Sequence, residues 1–169
     1  MAAGSTYTPI ATQTLASAAA SVTFSSISGA YTDLIVVANI AQSAGSNSLR
    51  FRLNGDTGSN YSATYLRGDG STASSGRDSS VTSGYACDTP GNTSFNLMCI
   101  FHIMNYSNAT TYKTTLGRGS NAAIETDAVV SLWRNTAAVT SVQFALGSTF
   151  PSNNIAAGST FTLYGIAAA

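Results

Sequence analysis

The chain has 169 residues, a length that suits one domain and leaves little for a second. Only 8% of the residues are charged, seven basic against seven acidic, where a soluble domain carries about 25%. Zero net charge excludes nucleic-acid binding by phosphate neutralisation and leaves no basic patch for an anionic membrane, and 44% hydrophobic residues exclude a disordered chain.

Met1-Ala-Ala-Gly-Ser-Thr-Tyr7 carries no positive charge, and the first apolar cluster, Leu15 to Ala20, is interrupted by Ser17. Neither a signal peptide nor a membrane span is expected. Residues 1–14 have two readings. They are an extended N-terminal arm, with Ala2–Thr14 adding to a neighbour's sheet edge, or the first strand of the protein's own fold. Strands are predicted at Tyr7–Thr14 and Ser21–Ile27. The next run, Leu34-Ile-Val-Val-Ala-Asn-Ile40, is apolar on both pleat faces. Leu49, Phe51 and Leu53 then alternate with Ser48, Arg50 and Arg52, the period of a half-buried strand. Asn54-Gly-Asp56-Thr-Gly-Ser-Asn60 sets oxygens at alternate positions, yet it lacks the downstream glutamate of a calcium loop. Its Asn-Gly and Asp-x-Gly pairs predict a turn between Leu53 and Tyr61.

Tyr61–Leu66 is the following strand. Gly68 to Gly84 is the longest polar stretch and is expected to be an exposed loop or a protruding hairpin. At its start, Arg67-Gly-Asp69 reads as a plain exposed turn. Further strands are predicted at Val81–Ala86, Tyr112–Leu116, Val129–Trp133, Ser141–Leu146 and Thr160–Tyr164. Between them lies Phe95-Asn-Leu-Met-Cys-Ile-Phe-His-Ile-Met104, a second run apolar on both faces. The pattern is that of an all-β chain, one domain over residues 1–169, folded as an antiparallel two-sheet β-sandwich, jelly-roll-like. The runs 34–40 and 95–104 are expected to be central strands, with one face on the opposing sheet and the other under a loop, an arm or a neighbouring subunit.

Little in the sequence points to a reaction. Cys87 and Cys99 are expected to be reduced and buried, and no Cys/His spacing suggests a metal or cofactor. His102 has no acidic neighbour in sequence and is expected to be a satisfied core or interface histidine. The serines lack a nucleophile-elbow context, so the chain is not expected to be an enzyme. Aromatic residues give the remaining lead. Tyr61, Tyr65 and Tyr85 stand beside polar segments, and Trp133 is followed by Arg134 at a strand end. These five are the candidate contacts for a partner or a glycan, because exposed aromatic rings stack on sugars and pack at interfaces.

The phrases "YTDLIVVANI", "LRFRLNGDTGSNYSATYL", "NYSNATTYKTTLGRG", "VVSLWRNTAAVTSVQF" and "GSTFTLYGI" together resemble small virion structural proteins of tailed bacteriophages, of the marine and cyanophage type. The likeness runs from about Tyr31 to Ile166 and includes no site motif. It implies a β-sandwich that decorates a capsid or forms a knob or fibre tip, commonly a homotrimer, assembled in the host bacterial cytoplasm and carried in the virion. Its implied partners are its own copies and the major capsid protein or other virion proteins. The function so implied is capsid decoration, a cement bound to the outer shell; the alternative is a tail-fibre or receptor-binding module for a host surface polysaccharide.

Overall fold

The computed structural model describes residues 6–167. No helix occurs among them, and so none long and apolar enough to cross a membrane. The strands are β1 (Tyr7–Thr14), β2 (Val22–Phe24), β3 (Asp33–Ile40), β4 (Asn47–Leu53), β5 (Tyr61–Gly68) and β6 (Ala73–Val81), then β7 (Gly84–Gly91), β8 (Leu97–Ile103), β9 (Lys113–Asn121), β10 (Glu125–Trp133), β11 (Val142–Leu146) and β12 (Thr160–Ile166). They form an eight-stranded sheet, ordered β1-β12-β3-β8-β9-β10-β5-β6, and a four-stranded sheet, ordered β2-β11-β4-β7, antiparallel throughout. Each strand of the small sheet is flanked in sequence by strands of the large one, so the chain crosses between layers repeatedly, as in a jelly roll. The fold is the expected antiparallel β-sandwich.

The core is built from the inward positions of both sheets. Leu49, Phe51 and Leu53 of β4 and Val142, Phe144 and Leu146 of β11 face Leu97, Cys99, Phe101 and Ile103 of β8, all buried. Phe51, Phe101, Phe144 and Phe161 form a chain of ring contacts, with centroids 4.6, 5.6 and 5.7 Å apart, that links the two layers. Apolar burial, aliphatic and aromatic together, is the principal stabilising term here.

β7 lies unusually close to β9. A methyl group on Gly117 would sit 1.7 Å from the Ala86 carbonyl oxygen, and one on Gly119 would sit 2.6 Å from Cβ of Cys87. Glycine at these two positions lets the backbones meet. Asp127, pointing inward from β10, fastens the same contact. Its carboxylate accepts from the backbone N–H groups of Asp88, Thr89 (2.5 Å) and Gly119 (2.6 Å), bridging both sheets. Cys87 and Cys99 are both buried and free, and the Cys99 thiol donates to the Ala86 carbonyl at 3.6 Å.

Three local expectations change or sharpen. The polar stretch after Arg67 forms a hairpin: β6 pairs with β5, and the Asp69 carboxylate accepts from the Ser71 and Thr72 N–H groups in the turn. β7 begins at Gly84 and continues through Asp88, Thr89 and Pro90, beyond the Val81–Ala86 segment expected. Tyr7–Thr14 pairs with β12 at the edge of the large sheet, so this segment is a strand of the protein's own sandwich. Residues 1–5, the rest of the expected arm, lie outside the described residues.

Candidate interaction face

β3 and β8 pair with each other as third and fourth strands of the large sheet, and one face of each is covered by the small sheet. Among the described residues, no loop or arm covers the other face. Its side chains fall in rows set by the strand register. One row runs Tyr164, Ile35, His102, Leu116, Val130 and Thr64 across β12, β3, β8, β9, β10 and β5. The next runs Thr162, Val37, Ile100, Arg118, Ala128 and Leu66 across the same strands. Leu66 is 63% exposed, and Val37, Met98, Ile100, Leu116 and Val130 are also exposed. Together they make a contiguous apolar field with Arg118 as its cation. Monomers seldom expose more than about 300–600 Å² of such surface, and the largest patch is often functional.

The field is not flat. A groove of about 480 Å³ runs between Ile35, Leu66, Ile100, Leu116 and Val130, with His102 at its rim. Strand twist produces the concavity, and the small side chain of Ala128 leaves it open. His102 is not a core residue: its Nε2 lies 3.0 Å from Asp33 Oδ2, and both side chains are about one-quarter exposed, at 28% and 27%. Asp33 is held in turn by the Asn105 N–H at 2.6 Å. The antiparallel register of β3 and β8 brings these partners together across a sequence separation that hid the pairing.

The five aromatic and basic candidates divide into two groups, neither on this face. Tyr61 and Trp133 are fully buried, stacked at 6.4 Å, and so present no ring face to a sugar. The Tyr61 hydroxyl bonds the backbone of Leu53 and Asp56, and burial raises its pKa above the ordinary phenol value. Trp133 donates to Asp56 Oδ2, and Arg134 clamps the same loop through Ser62 Oγ and the Ser59 and Tyr61 carbonyls. The segment from Asn54 to Asn60 is therefore a turn that anchors an indole. Tyr65 and Tyr85 meet at 5.9 Å in the lateral cleft between β5 and β7, with Tyr85 buried beneath the Arg50 guanidinium. Exposed ring stacking was thus the wrong role for Tyr61 and Trp133, whose rings fill space inside the sandwich, and for Tyr85, whose ring is capped by Arg50.

The residues that make the face, Leu66, Leu116 and Val130 above all, were not singled out in sequence. Their signal was an apolar residue at the position opposite inward-facing Arg67, Thr115 and Ser131. No protein-family model, curated protein or solved structure matches the chain.

Proposed function

We propose that this protein is a structural component of a tailed-bacteriophage virion, a decoration protein that binds the outer capsid shell and stabilises it. The observation that carries this reading is the uncovered apolar face of the large sheet. Its rows are continuous across six strands and nearly uncharged, which suits permanent packing against a neighbour better than transient recognition. The phrase-level resemblance to small virion proteins supplies the class, and the face supplies a means of attachment. Closed symmetry, as in a homotrimer, limits such a contact and avoids open growth. Many symmetric copies, each binding only the assembled shell, multiply a modest contact energy. In this reading the partners are its own copies and the major capsid protein, the site of action is the virion, and the chain is not an enzyme.

The test is particle composition and robustness. Purified virions are expected to contain hundreds of copies, and particles lacking the protein are expected to rupture at lower temperature and on milder osmotic shock. A few tens of copies or fewer, with shells as robust as wild type, rejects the stabilising role and favours a receptor-binding module of the tail.

A further inference from the structure

On the other side of the molecule, where β4 and β7 of the small sheet meet the overhanging β6 hairpin, a polar pocket of about 480 Å³ surrounds Arg50. The register of β4 against β7 shifts between Leu49 and Arg50, a bulge that seats the arginine opposite Tyr85. Arg50 is only 8% exposed. Its guanidinium lies 3.8 Å over the Tyr85 ring, donates from Nη2 to the Tyr85 hydroxyl, and reaches Ser83 Oγ from Nη1 at a long 3.5 Å. Nε has no partner, and no carboxylate lies within ion-pair distance of Arg50 among the described residues. Asp78 lies close enough to the Tyr85 hydroxyl that, after burial, its carboxylate helps to raise the phenol pKa. A buried guanidinium with donors to spare is costly unless an anion completes it. Asp78 on the same wall opposes a dianion but accepts readily from hydroxyl groups, as do Thr82, Ser83 and Ser148.

We propose that this pocket binds a sugar acid, with the monoanionic carboxylate on Arg50 and ring hydroxyls on Asp78 and the surrounding serine and threonine hydroxyls. The volume falls within the range of small-molecule sites, about 300–1,000 Å³. The proposal is independent of the apolar face, which uses different strands.

Titration of the folded protein with D-glucuronate, followed by amide chemical shifts, tests it, with D-glucose and inorganic phosphate as controls. Saturable shifts centred on residues 82–85 and 148 are expected for glucuronate. Glucose is expected to bind at least about tenfold more weakly, the worth of one charge-assisted hydrogen bond. Arg50→Gln is expected to lose a similar factor. Ser148→Trp, at an exposed rim position, is expected to block the pocket and decides the matter if Arg50→Gln does not fold. Absence of saturation overturns the proposal, as does equal binding of glucose. Equal or tighter binding of phosphate overturns the carboxylate assignment, and binding undiminished by Ser148→Trp overturns the location.

Discussion

The indole N–H of Trp133 donates to Oδ2 of Asp56 at 2.6 Å, joining the end of β10 to the loop between β4 and β5. The same carboxylate accepts from Asn60 Nδ2 at 2.9 Å and, through Oδ1, from the Gly58 N–H at 2.8 Å. One side chain thereby closes its own loop and satisfies the largest buried ring of the core. Asp56→Ala is expected to cost about 1–3 kcal/mol, the penalty of leaving a buried donor unpaired. Chemical unfolding followed by the fluorescence of this single tryptophan measures it, since the probe and the perturbed bond coincide.

A pH dependence follows from the same contact. Partial burial pushes the Asp56 pKa up, but hydrogen bonds from Trp133, Asn60 and Gly58 and the charge of Arg52 outweigh it, and the net pKa lies below the ordinary carboxylate value. A depressed folded-state pKa means that the unfolded chain binds the proton more readily. The contribution is fully present above the unfolded value and is lost as pH falls through the folded one. Wild type is expected to converge in stability on Asp56→Ala as the pH is lowered through that window. Parallel curves from neutral to strongly acidic pH would show that ionised Asp56 contributes nothing.

Gly117 tests the close approach of the two layers. Any Cβ there would overlap the Ala86 carbonyl oxygen, a backbone atom that cannot swing aside as a side chain could. Gly117→Ala is expected to destabilise by at least about 3 kcal/mol or to prevent folding. Gly55→Ala provides the contrast. That glycine has a φ of +68° but open space around its Cβ, so only a conformational cost of about 1 kcal/mol is expected. Equal costs at the two positions would mean that β7 can withdraw from β9.

Much of this architecture was legible in the sequence, and the misses have physical causes. β1 has the bounds expected, β11 lies within the alternating segment Ser141–Leu146, and the double-sided apolarity of β3 and β8 located the middle of the large sheet. β6 was hidden because Ala73-Ser-Ser-Gly-Arg-Asp-Ser-Ser-Val81 has no apolar period. As the outermost strand it is held by backbone pairing to β5, with the Tyr65 ring over Gly76. Tyr61 and Trp133 were misplaced because an aromatic residue beside a polar loop looks alike in sequence whether it lies on that loop or beneath it. The acceptor that decides the question, Asp56, is remote in sequence from Trp133. The pairing of His102 with Asp33 was invisible for the same reason.

Asp127 is the polar counterpart of Gly117. All three N–H groups it accepts belong to strands that abut there, two from β7 and one from β9. Asp127→Asn removes little volume but turns an amide donor toward at least one of those N–H groups. A loss of about 1–3 kcal/mol is expected, with raised hydrogen exchange at Asp88, Thr89 and Gly119. Unchanged protection of these three amides would show that the bridge is dispensable.

The cysteines give a chemical readout of the same layer. Burial, with a hydrogen bond to Cys99, holds the Cys87 thiol well above its ordinary pKa, so almost no thiolate is present at neutral pH. Both thiols are expected to resist a disulfide-exchange reagent in the folded protein and to react together on unfolding, at two equivalents per chain. Rapid labelling of either thiol under native conditions would place it outside the core.

The uncovered sheet face makes the last prediction. Ile100 lies in its middle, paired with Val37 on one side and Arg118 on the other, and its side chain points away from the core. Ile100→Lys should therefore leave the monomer's stability within about 0.5 kcal/mol, as for other surface positions. If the face is an assembly surface, the same change sets an unpaired charge in an apolar contact and should abolish self-association or shell binding, because desolvating that charge costs several kcal/mol. Wild-type association should change little between low and high salt, since Arg118 is the main charge in the field. Light scattering across a concentration series reads self-association, and co-sedimentation with shells stripped of the protein reads attachment. A wild-type chain that stays monomeric and binds shells as well with Ile100→Lys as without it would remove this face from the function.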